Sequence, residues 1–522
     1  VQGESAENKG DSRRQDSDVV PAHPEARERD PATSAADEVA APAEDKIFAV
    51  EALIRILIRE GVKYIFGIPG SHTCPLFDEA EQSGQIKIIL TRHEQGAAYM
   101  ADGYARVARQ VGVCTGTVGP GATNLITGVA ASFADGIPVL VITGQIPATA
   151  IGRTAHQEAT GVGRAPNQVE LFRNVTKTSF AAVRATKIPE LVRTAFRIAL
   201  NGRFGPVNVT VPVDTFYDKI AFEDVDRSAY RVTRSNNVDL ALVRQAVQII
   251  AEGRRPLILA GQRALFPDAT RQLRELAEHF CIPVITTLSA KGALDEHHPL
   301  SLGCLGLVGQ RAAEKYLREV ADVLIAVGEN FEEWTSLSWD PEIVRGKKLI
   351  HVDVDPLEIG KNYPVAVGID GTIRRILAEM RNQLLDVEYS PSTTVNEIVS
   401  LKQGWGYFDS PEMGSDAVPI KPQRVMRELR EALPDNTIVF GDSGHTVRWA
   451  GRYFKARTQS FFAANIFEPM GYGVAACIGG KLAAPDQPVV SICGDGSFLM
   501  NGMEISTAVN YGIPVVWIIL ND

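Results

Sequence analysis

From residue 47 onward the apolar and polar positions switch period in a regular alternation. Apolar residues three or four apart predict amphipathic helices at 49–60, 95–108 and 124–133. Between them, short runs rich in Val, Ile and Leu predict strands at 64–67, 86–90, 111–118 and 139–143, with a further strand near 205–214 closing the block. Strands alternating with helices predict a parallel sheet covered on both faces. The pattern recurs over 238–385, with strands at 256–260, 283–287, 323–327 and 348–354. It starts again after residue 416, where a helix at 422–433 precedes a strand at 437–440. Polar stretches at 221–237 and 390–415 separate the blocks. The expected fold class is therefore α/β, with three successive doubly wound parallel-sheet domains at 46–220, 238–388 and 416–522, the last one incomplete. Residues 1–45 lack large apolar side chains to bury and are expected to form a disordered tail.

Composition adds exclusions. A formal net charge of −10 argues against a nucleic-acid partner, which needs a basic surface to displace counterions. Six cysteines lie far apart without a Cys-x-x-Cys pair, so neither a disulfide framework nor a zinc site is expected, and a reducing compartment fits best. No apolar run approaches the roughly 20 residues needed to span a bilayer, so no membrane partner is expected. The acidic first 45 residues contain no apolar core of a signal peptide and are too acidic for a typical transit peptide. The expected location is the cytoplasm, or an organelle if a leader preceding Val1 has been removed.

The chemistry concentrates at two strand ends. Val489 to Cys493 form a strand that leads into Gly494-Asp495-Gly496-Ser497, where two glycines let the backbone approach a ligand on either side of a carboxylate. Residues 497–509 have helical spacing, and the next apolar strand, 515–520, delivers Asn521 and Asp522. Oxygen ligands beside a helix N-terminus suit a phosphate and Mg²⁺. An ordinary βαβ turn with an N-cap Asp gives the same pattern. In the first block, Glu94 follows a strand and enters the helix at 95–108, where it is either a helix-capping residue or a reactive carboxylate.

Taken together, the Gly-Asp-Gly motif and the run Thr91-Arg92-His93-Glu94-Gln95-Gly96-Ala97-Ala98-Tyr99 resemble the paired motifs of thiamine diphosphate enzymes. Further segments narrow the resemblance to the acetolactate synthase large subunit and its relatives, among them Gly119-Pro120-Gly121-Ala122-Thr123-Asn124, Ala155-His156-Gln157-Glu158 and Met470-Gly471-Tyr472-Gly473. The resemblance implies that Asp495 and Asp522 ligate Mg²⁺. It also implies that Gly444, His445, Thr446, Gly496 and Ser497 hold the diphosphate, that Gly70 lies near the reacting carbon, and that Met470 supports the bend of the cofactor. Glu94 would hydrogen-bond N1′ of the aminopyrimidine, so that this ring can take the C2 proton of the thiazolium. Gln157 would donate to substrate.

The implied activity is decarboxylation of a 2-keto acid such as pyruvate and transfer of the two-carbon unit to a second carbonyl, as in branched-chain amino acid biosynthesis. Simple decarboxylation and a non-catalytic cofactor-binding relative are the alternatives. A homodimer or homotetramer is implied, with Glu94 of one chain facing Asp495 of another, and a regulatory subunit is a further partner. Two departures touch the substrate pocket: Ser71-His72 stand where the group has Gly-Ala, and His156 stands where Phe is more usual. The resemblance also implies FAD in the second block, at Gly261-Gln262-Arg263, Gly303 to Gly309 and Asp353 or Asp355. The flavin-contacting Arg of the group, however, is replaced within Gly328-Glu329-Asn330-Phe331.

Overall fold

A computed structural model describes residues 46–231, 238–266, 268–390 and 392–521. The expected tail at 1–45, part of the polar stretch at 221–237, and Asp522 lie outside the described residues.

Three parallel sheets carry the chain. The first contains β2 (Tyr64–Gly67), β3 (Lys87–Leu90), β4 (Gly112–Gly116), β5 (Val139–Gln145), β6 (Thr178–Ala181) and β7 (Val207–Pro212), in the order β3-β2-β4-β5-β7-β6. A short antiparallel pair, β1 (Ile47–Phe48) with β8 (Lys219–Ile220), ties its two ends together. The second contains β9 (Pro256–Ala260), β10 (Val284–Thr286), β11 (Ser301–Cys304), β12 (Val323–Val327), β13 (Lys348–Asp353) and β14 (Val367–Asp370), in the order β11-β10-β9-β12-β13-β14. The third contains β15 (Ile438–Gly441), β16 (Phe461–Phe462), β17 (Val489–Gly494) and β18 (Val516–Leu520), in the order β16-β15-β17-β18. Central strands such as β5 and β12 are buried along their whole length, as their unbroken apolar runs require. In each sheet the order reverses direction, which opens a crevice at the carboxyl ends of the strands.

Two helices lock the first sheet to the third. Helix Glu94–Ala108 is lined with Ala and Gly, and helix Tyr472–Ala483 is likewise small-sided. A Cβ on Gly103 would collide with the Ala476 carbonyl, and one on Gly479 with the Met100 carbonyl, so the two backbones touch. Beside this crossing lies a buried ionic cluster. Arg106 binds Asp102 at 2.6 Å and Asp135 at 2.7 Å, and the Tyr472 hydroxyl donates to Asp102 at 2.6 Å. Asp135 also accepts the Ile466 amide at 3.2 Å. The cluster lies out of water, with Arg106 shared between two carboxylates, and it bridges the first and third sheets through Tyr472 and Ile466.

Two sequence expectations change. The helix expected over 497–509 is broken into Asp495–Asn501, a 3₁₀ turn at Gly502–Glu504, and Ile505–Tyr511, because Glu504 turns inward to accept backbone hydrogens from the first block. The polar stretch at 390–415 is no plain linker: helix Val395–Trp405 buries Ile398 against the second core. Among the described residues no helix is long and apolar enough to cross a membrane.

Candidate active site

At the end of β3 the chain turns into helix Glu94–Ala108, whose N-cap is His93, with the imidazole accepting the Gln95 amide at 3.1 Å. The capping role left open for Glu94 thus belongs to its neighbour. The Glu94 side chain, 8% exposed, instead accepts Asn124 Nδ2 at 2.9 Å. A Cβ on Gly121 would stand 3.1 Å from Glu94 Oε1, and one on Gly70 only 2.5 Å from Thr117 Cβ, so the loops after β2 and β4 crowd the same spot. Thr117 Oγ1 is buried there without a hydrogen-bond partner, an orphaned polar atom that a bound group can satisfy. The Gln157 backbone, at φ 61°, brings its carbonyl to 2.9 Å from where a Gly119 Cβ would stand. The first-block residues Gly70, Glu94 and Gln157 are therefore gathered by the loops of adjacent strands.

The two departures noted in the sequence meet here as well. His72 is buried and shares a 3.1 Å hydrogen bond between its Nδ1 and Ser71 Oγ. Burial, and secondarily the charge of His156, hold its pKa below the usual imidazole value. A neutral imidazole in this wall offers hydrogen bonding in place of a methyl group.

At the strand ends of the third sheet, Asp442 after β15 is the organiser. It is fully buried, accepts the amides of Ser443 at 2.8 Å, Gly471 at 2.9 Å and Val474 at 3.3 Å, and takes a hydrogen bond from Ser497. Burial nevertheless keeps its pKa above the ordinary carboxylate value. These bonds draw the turn at 442–446, the Met470 loop and the Asp495 helix into one cluster. A Cβ on Gly494 would stand 3.4 Å from Thr446 Oγ1, and one on Gly496 3.2 Å from Met470 Cε. Met470 is 41% exposed, which rules out core filling. Gly444 and His445 are exposed beside it, and Asp495 is half-buried.

Among the described residues no group of three His, Cys, Asp or Glu side chains gathers as metal ligands. Gly494, Gly496 and Thr446 form a small-sided cradle at the strand ends of the third sheet. Asn501, 1% exposed with both amide atoms unpartnered, stands behind it against Gly471.

Inside one chain the two clusters are joined by Glu504. Its Oε1 accepts the amides of Arg92 and His93, each at 3.0 Å, and its Oε2 accepts Thr507 Oγ1 at 2.7 Å. Among the described residues no hydrogen bond links Glu94 itself to Asp495, Thr446 or Met470. Asp442, Asn501 and Glu504 escaped the sequence analysis as individual residues. Asp442 follows a strand next to a glycine turn, a usable signal, whereas Glu504 and Asn501 are single polar residues in a helical stretch and carry none.

Comparison with known proteins decides the family. Residues 48–166 match the N-terminal TPP binding domain of thiamine pyrophosphate enzymes, residues 243–380 their central domain, and residues 442–522 their C-terminal TPP binding domain. The chain belongs to the thiamine pyrophosphate enzymes, in the acetolactate synthase group. The probable acetolactate synthase large subunit of Methanocaldococcus jannaschii is 40% identical over 489 residues, covering 90% of this chain and 80% of that protein. The acetolactate synthase of Arthrospira platensis is 38% identical, covering 90% and 81%. The acetolactate synthase large subunit of Haemophilus influenzae is 33% identical, covering 91% and 82%. The three-sheet α/β architecture and dependence on thiamine diphosphate follow from this membership.

The residues expected to hold FAD do not fit it. Arg263 and Asp353 are buried against each other in a two-pronged ion pair at 2.7 to 3.0 Å. Opening such a pair by removing one partner costs about 3–5 kcal/mol.

Proposed function

We propose that this thiamine pyrophosphate enzyme is a Mg²⁺-dependent carboligase of the acetolactate synthase type. It would decarboxylate a 2-keto acid such as pyruvate and join the two-carbon unit to a second carbonyl. The observation that carries this reading is the Glu94 carboxylate, released from helix capping by His93 and held by Asn124 at the strand ends of the first sheet. When bound, thiamine diphosphate supplies the electron sink for decarboxylation. Glu94 would hold a proton at N1′ of its aminopyrimidine, and Asp495 with Asp522 would hold the metal. Thr446, Gly496 and Ser497 would line the diphosphate cradle, the exposed Met470 would support the cofactor, and Gln157 would donate to substrate.

A second copy of the chain supplies the missing half of each site. The exposed apolar side chains Ile466, Phe467, Met470 and Leu499 surround the third-sheet cluster and support such a partner. A regulatory subunit is a further partner, since two of the compared relatives are named large subunits. Six free cysteines support a reducing compartment such as the cytoplasm.

Product analysis with pyruvate, thiamine diphosphate and Mg²⁺ tests the reaction. Acetolactate is the expected product, and acetaldehyde alone would mean decarboxylation without ligation. The polar wall of Ser71, His72 and His156 makes a screen of polar and apolar second substrates part of the same assay. For Glu94→Gln, kcat is expected to fall about 10²–10⁴-fold while calorimetry still detects cofactor binding. Unchanged turnover would remove Glu94 from the mechanism.

A further inference from the structure

The second sheet opens its crevice where a doubly wound fold takes a dinucleotide, and the chain itself occupies it. A strand-end carboxylate can hold ribose hydroxyls, yet Asp353 is fully buried against Arg263 and also accepts the Asp355 amide at 2.9 Å. The loop after β12 folds inward. Glu329 is 2% exposed, its Oε1 accepts the Phe331 amide at 2.7 Å, and its carbonyl oxygen lies 2.7 Å from His351 Nε2. A Cβ on Gly261 would collide with the Glu329 carboxyl, and one on Gly328 would stand 2.6 Å from the Ala264 amide.

The glycine-rich turn after β11 is filled in the same way. A Cβ on Gly306 would collide with the Trp334 carbonyl, and one on Gly303 would stand 2.5 Å from Gln310 Cγ, a buried side chain whose Oε1 accepts the Phe408 amide at 3.1 Å. The cavity left between Arg263, Thr287, Ser289, Glu329 and Ile466 measures about 10 Å³, room for roughly one water molecule.

We infer that this enzyme carries no flavin, because the Arg263–Asp353 ion pair and the inward Glu329 loop plug the crevice of its second sheet. Each close approach at Gly261, Gly303, Gly306 and Gly328 serves packing of the chain on itself, not access for a ligand.

The test uses the full protein purified with thiamine diphosphate and Mg²⁺. Heat-released cofactors are identified by absorption, and the same preparation is titrated with FAD by flavin fluorescence and with thiamine diphosphate by calorimetry. The expected result is no flavin band, unchanged fluorescence, and thiamine diphosphate bound. Stoichiometric flavin, saturable quenching, or a rise in activity on adding FAD would overturn the inference. Flavin binding alongside intact thiamine diphosphate binding would sink this inference alone, whereas absent thiamine diphosphate binding would sink the proposed site.

Discussion

Glu329 shows how one buried side chain ties stability to pH. Burial first, and the neighbouring Glu332 carboxylate second, push its carboxyl up to about 8, while Arg263 pulls it down by less. Its folded value lies above the ordinary 4.5, so the folded protein binds more protons between those two points. The contribution is complete below the lower value and is lost as pH rises through the upper one. Thermal melts of the wild type should therefore fall between about pH 5 and 8 more steeply than those of Glu329→Gln, and parallel curves would show that Glu329 does not set this slope. At the same scale, Glu94 was legible because an acid stood beside a recognisable run of small residues. Asn124, which holds it, and Glu504, which braces its entry, were not, since each depends on a partner distant in sequence.

Helix Glu94–Ala108 and helix Tyr472–Ala483 pack backbone against backbone. Gly479→Ala places a methyl group against the Met100 carbonyl, where neither side is a flexible side chain. The expected destabilisation is about 1–3 kcal/mol, as for other overpacked cores, read as a lower midpoint in urea with an unchanged slope. A neutral outcome would mean that the two helices can slide apart. The helices themselves were legible from their apolar spacing, and so were most strands of the first two sheets. Their crossing was not, because Gly and Ala give a weak hydrophobic signal and their value lies in what the partner backbone can approach. The break at Gly502–Glu504 was hidden for a similar reason: helical spacing continues through it, and only the amides of Arg92 and His93 explain the inward turn.

For the whole molecule, the question is how the two site halves combine. The proposed arrangement places Glu94 of one chain opposite Asp495 of another. Mixing inactive Glu94→Gln with inactive Asp495→Ala, followed by subunit exchange, should restore about a quarter of wild-type activity, because half the dimers are mixed and each holds one intact site. No recovery after demonstrated exchange would place both residues of a site in the same chain. The three-block organisation was visible in the sequence as repeated alternation of period. The closed state of the second crevice was not, because Gly261 and Asp353 read the same whether a ligand or an arginine meets them.

The ionic cluster around Arg106 has a practical consequence for anyone wishing to trim the protein. An isolated first sheet would leave Asp102 without the Tyr472 hydroxyl and would bare the alanine and glycine flank that helix Tyr472–Ala483 covers. Such a fragment would be sticky as well as weakened, so expression trials should keep both terminal sheets on one polypeptide.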